Sequence, residues 1–121
     1  MIAWIDWSDH QRSQVESTLA SHPVLSNRCA QAALGILPTA REVDEEAHGL
    51  VIQPPLGALY VQPKGLAARW YHHVTVAVSE HCVDVLPGVD GHARTSYLAT
   101  YFDYPEEHIM RPIESSEWEE L

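Results

Sequence analysis

Hydrophobic positions along this chain recur first at helical and then at strand spacing. From Ser8 to Ser21 the polar run is broken by Val15 and Leu19, one helical turn apart. This predicts a helix capped by Ser8 or Asp9 and ended by His22-Pro23. Cys29, Ala32, Ala33, Ile36 and Leu37 repeat at the same spacing and predict a second helix, with Ser26 or Asn27 as its cap. Pro38 is expected to end or kink it, with Thr39 to Ala47 resuming as an exposed acidic segment that Gly49 closes.

Beyond Gly49 the period changes. Leu50 to Gln53 reads as a strand, Pro54 to Gly57 as a turn, and Leu59 to Gln62 as a second short extended piece. The strongest β signal is the pair Trp70 to Val78 and His81 to Leu86, a hairpin turning within Ser79-Glu80-His81 and placed centrally in a sheet. Pro87 to Gly91 is a loop, Thr95 to Phe102 a short aromatic helix, and Glu107 to Ile113 a last strand. The acidic tail Glu114 to Leu121 is expected to fray.

Helices first and strands later predict an α+β fold, N-terminal helices packed on an antiparallel sheet, rather than alternating βαβ units. At 121 residues and 45% hydrophobic content the chain suits one domain, 1–121, with a helix at about 8–21, a core at about 26–113 and a tail at 114–121. A net charge of −10 with only 7 Lys+Arg argues against nucleic acid as a partner, because such binding rests on neutralising phosphates. No apolar run reaches membrane-spanning length, and acid follows the first apolar residues where a secretory leader would be basic. A cytoplasmic protein that does not engage a membrane is therefore expected. In that compartment Cys29 and Cys82, in unlike contexts, are expected as free thiols.

Cys29, His73 and Asp84 fall in the chain order of a thiol-hydrolase triad. A thiol nucleophile must be ionised near neutral pH, and a sulfur near a helix start gains from unpaired N–H groups and the helix dipole, with a nearby imidazolium adding to both. The same N–H groups can hold the oxyanion of a tetrahedral intermediate. Asn27 and Gln31 are candidate side-chain donors to it. Strand alternation puts His73, Thr75 and Ala77 on one face and Val74, Val76 and Val78 on the other. With Ser79-Glu80 as a two-residue turn, Thr75 pairs with Asp84 and the carboxylate lies one diagonal step from His73, where it can fix the imidazole tautomer. With a three-residue loop the phase shifts, and His72 becomes the alternative base.

Arg69-Trp70-Tyr71-His72-His73-Val74-Thr75-Val76-Ala77-Val78, followed by Cys82-Val83-Asp84, resembles the aromatic-His-Val strand and Asp strand of the papain-fold toxin domains of bacteria, especially the type called papain fold toxin 2. Asn27-Arg28-Cys29 with its small-residue helix resembles their cysteine segment, so the likeness spans roughly Ser26 to Phe102. The ordered Cys, His and Asp are also similar to those of transglutaminases, protein glutaminases and lasso-peptide maturation proteases. The resemblance implies a papain-like fold and a cysteine hydrolase of amide bonds, protease or protein deamidase, possessing Cys29 as nucleophile, His73 as base and then acid, and Asp84 as orienter. It implies a peptide or protein substrate, no cofactor, and a toxin or effector-type role.

Two other readings compete. His81-Cys82 can approach His72 or His73 across the hairpin, but the chain has no Cys-x-x-Cys and no His-Glu-x-x-His, so no metal is expected. A noncatalytic binding module that keeps the fold would show a buried Cys29 remote from both histidines.

Overall fold

The structure, a computed structural model, describes residues 4–121. It opens with helix α1 (Asp9–Ser21), where Ser8 Oγ accepts from the Gln11 N–H and the Gln11 side chain accepts from the Ser8 N–H. This reciprocal pair satisfies two donors that a helix start leaves open. Val15 is buried from α1 and Leu19 packs beside it, as their spacing predicts.

Helix α2 (Cys29–Val43) buries Ala30, Ala33, Ile36, Leu37 and Ala40 in one stripe. Its alanines let the helix lie close to the sheet. At Gly35 a Cβ would come within 2.9 Å of Thr18 Cγ2, so α1 and α2 also approach closely there. Contrary to expectation, Pro38 neither ends nor breaks α2. Pro38 and Leu34, whose carbonyl would have bonded the missing N–H, both lie on the exposed side, and buried residues on either side of Pro38 hold the helix together. No acidic helix resumes to Ala47: Asp44 ends α2, and its carboxylate accepts from the backbone N–H groups of Glu46 and Ser79.

Among the described residues five strands form one antiparallel sheet in the order β4-β3-β2-β1-β5. They are β1 (His48–Gln53), β2 (His73–Val78), β3 (His81–Val83), β4 (His92–Ala93) and β5 (Ile109–Pro112). Gly49 belongs to β1 and closes no helix; a Cβ there would meet the Trp118 ring at 2.6 Å. The segment expected as a strand at Leu59 to Gln62 is irregular, tied instead by Val61 N–H to Trp70 O and by a single bridge between Pro63 and Phe102. Nor is the tail frayed. Ser115–Glu120 winds into a 3-10 helix, Trp118 covers Gly49, and Arg111 grips Glu117 through two 2.7 Å bonds.

The sheet has a core on each side. Val74, Val76, Val78 and Val83 meet the stripe of α2, while Leu50, Ile52, Ala77 and Cys82 meet Val61, Trp70, Phe102 and Tyr97 from helix α3 (Arg94–Tyr101) and the loops. Every residue of β2 is buried. The structure is thus an α+β fold of helices on an antiparallel sheet. No described helix is long and apolar enough to cross a membrane.

Candidate active site

Cys29 is the first residue of α2. The expected caps do not act as such. Ser26 closes a 3-10 turn and bonds Pro23 O, Asn27 takes a left-handed conformation at φ 59°, and Arg28 stands at the cap position without a side-chain bond to the helix. Among the described residues no side chain therefore caps the first-turn N–H groups of α2, in contrast to the doubly capped α1. Cys29 is half-buried, whereas Cys82 is fully buried in β3; both are free thiols.

His73 begins β2 and Asp84 follows β3, so antiparallel pairing brings them to the same end of the sheet. The register Val76 to Val83, Ala77 to Cys82 and Val78 to His81 makes Ser79-Glu80 a two-residue turn, both residues at positive φ, 49° and 66°. Extended by one pair, this register sets Asp84 opposite Thr75. The two-residue alternative holds, and His73 rather than His72 meets the carboxylate. His73 Nε2 lies 3.3 Å from Asp84 Oδ1, with both side chains withdrawn from solvent.

That contact has ion-pair distance without hydrogen-bond alignment: both nitrogens of the His73 ring are buried and neither makes a well-aligned bond. Such a group is rare in folded proteins. Trp70 stacks on the ring, centroids 4.8 Å apart at 14°, and Phe102 leans on it at 5.9 Å. Cys29 stands close enough for its charge to act on the imidazole, without a well-aligned bond to either ring nitrogen. Burial opposes charge on His73, yet Asp84 and then Cys29 outweigh it and raise its pKa to about 10. Burial likewise pushes the Asp84 carboxyl up, but the positive ring and the Tyr97 hydroxyl hold it below the usual carboxylate range. His72 is half-buried, and burial together with the His73 charge lowers its pKa.

Asp84 is held from several sides. Oδ1 accepts from the Leu86 N–H at 2.7 Å, and Oδ2 from the Tyr97 hydroxyl at 2.6 Å. Neither Tyr97 nor Trp70 stood out in the sequence as a site residue, because aromatic residues on a short helix and at a strand entry look like ordinary core. A crevice of about 10 Å³, room for roughly one water, opens between α2 and the end of β3 and is lined by Asn27, Arg28, Cys29, Trp70 and Asp84 among others. Asn27 lies on its wall; Gln31 is exposed on the helix and does not line it. Among the described residues no three His, Cys, Asp or Glu side chains group as metal ligands.

A thiol at a helix start, a buried imidazole and a carboxylate in this arrangement can carry acyl transfer. No family model, curated protein or solved structure matches this chain.

Proposed function

We propose that this chain is a papain-like cysteine hydrolase acting on an amide of a peptide or protein, of the protease or protein-deamidase type and of the kind found in bacterial toxin and effector domains. The observation that carries this reading is that Cys29, at the tip of α2, lines one crevice with Asp84, whose carboxylate pairs with the His73 imidazole from the neighbouring strand. A half-exposed Cys29 beside His73 favours it over a noncatalytic module, for which the cysteine would be buried and remote.

Asp84 occupies the Nε2 side of His73, which leaves Nδ1 for the sulfur. In the proposed reaction the Cys29 thiolate attacks the carbonyl carbon, and the electron pair of the C=O bond moves onto oxygen. The free N–H groups at the start of α2, with Asn27 as a candidate donor, hold that oxyanion. His73 then gives its Nδ1 proton to the leaving nitrogen as the C–N bond breaks, and a thioester remains. Water attacks the thioester while His73 takes its proton; the C–S bond breaks and the acid leaves. Asp84 keeps the ring oriented and balances its charge throughout.

Reduced, unfolded casein incubated with the protein and hydroxylamine tests this, because hydroxylamine intercepts a thioester as a hydroxamate. The reading predicts hydroxamate or free acid from the unmodified protein and from Cys82→Ala, and a loss of at least about a thousandfold in Cys29→Ala. Product formation that survives Cys29→Ala would overturn it.

A further inference from the structure

We infer that Tyr97 is a positioning residue of this site: its hydroxyl fixes the Asp84 carboxylate so that Oδ1 faces His73. The inference rests on the hydrolase reading and adds a fourth side chain to it. Tyr97 is wholly buried, and its hydroxyl donates to Asp84 Oδ2 at 2.6 Å, a short, charge-assisted bond. The Leu86 N–H reaches Oδ1 at 2.7 Å. One donor on each oxygen prevents the carboxylate from rotating, and Oδ1 is thereby left aimed at Nε2.

The ring of His73 makes no well-aligned hydrogen bond of its own, so its orientation depends on the stacked Trp70 and on where Asp84 points. Tyr97 is therefore coupled to the sulfur through Asp84 and His73 rather than by contact. It remains a donor at all working pH values, since burial and the neighbouring carboxylate raise its pKa well above the ordinary value. The groups that face this pair from packed elements are Cys29 of α2, His72 and Thr75 around β2, Cys82 of β3, and Tyr101 of α3. Of these, Thr75 stands nearest the carboxylate, but its hydroxyl donates to the Val83 carbonyl at 3.2 Å.

Tyr97→Phe keeps the ring and removes only the hydroxyl. The readout is the rate of Cys29 alkylation by iodoacetamide as a function of pH, which needs no substrate. Tyr97→Phe is expected to slow alkylation near neutrality by about ten- to a hundredfold, the worth of a hydrogen bond to a buried charge, and to move the acid limb of the profile toward higher pH. In an Asp84→Asn background the same change should add almost nothing, because the two residues act as one unit. An unshifted profile, or equal effects in the two backgrounds, would overturn the inference while leaving Cys29 and His73 in their roles; a wild-type Cys29 no faster than in His73→Gln would instead remove the hydrolase reading itself. Should Tyr97→Phe fail to fold, the unmodified protein is read by NMR: a slowly exchanging Tyr97 hydroxyl proton at pH 7 supports the inference, and rapid exchange with water contradicts it.

Discussion

Asp84 reaches His73 across the hairpin because Ser79-Glu80 is a two-residue turn, so Oδ1 comes within 3.3 Å of Nε2. A single extra residue in that turn would move Asp84 to the opposite face and leave His73 with no carboxylate. The site is therefore specified as much by a surface turn as by its buried residues.

The turn carries a removable strain. Ser79 and Glu80 both adopt positive φ, which suits Asn and Gly better than Ser and Glu. Replacing Ser79→Asn and Glu80→Gly together should raise stability by about 1 to 2 kcal/mol in urea denaturation and leave activity intact, since the backbone N–H of residue 79 still reaches Asp44. A fall in stability would show that the turn is not of this form.

Stability should depend on pH in a definite sense. His73 is raised from 6.5 to about 10, so its contribution is whole below pH 6.5 and is lost as pH climbs through about 10. Asp84 is depressed below 3.8, so its contribution is present above pH 3.8 and is lost as pH falls through its lowered folded value. The pair stabilises fully between these two ordinary values, progressively less above 6.5 and progressively less below 3.8. Chemical denaturation across pH 4 to 10 should show that alkaline decline in the unmodified protein, and Asp84→Asn should flatten it. An equal decline in both would assign the effect elsewhere.

The two adjacent histidines should separate cleanly. His73→Gln leaves a buried Asp84 without its cation and should cost about 3 to 5 kcal/mol, together with at least about a hundredfold in rate. His72→Gln, at a half-buried position without the carboxylate, should cost under about 1 kcal/mol and keep the rate. Denaturation and hydroxamate formation on the same two variants check both halves.

Much of this was legible from spacing alone. The period of Val15 and Leu19, the stripe of α2 and the alternation of β2 each reflect which side chains must leave water, so elements and core faces could be read directly. Cys29, His73 and Asp84 were legible because their order and local settings are strand and helix properties. The turn phase was not, since Ser79-Glu80-His81 has no Gly or Asn to mark its length. Pro38 stays within α2 against the local rule for proline, because the buried residues flanking it decide the outcome. The Tyr97 contact joins residues 13 apart through a fold that no local pattern encodes. The tail likewise owes its order to Trp118 meeting Gly49, a long-range contact.

Competitive alkylation with iodoacetamide at pH ~6 to 7 shows whether His73 activates the Cys29 sulfur. Burial protects Cys82 and, with the Asp84 charge, raises its thiol to about 12, so the decisive comparison is Cys29 in the unmodified protein against Cys29 in His73→Gln. Rapid modification of Cys29, slow modification of Cys82, and a marked slowing of Cys29 once His73 is gone are expected. Slow modification of Cys29, or a rate indifferent to His73, would contradict that activation.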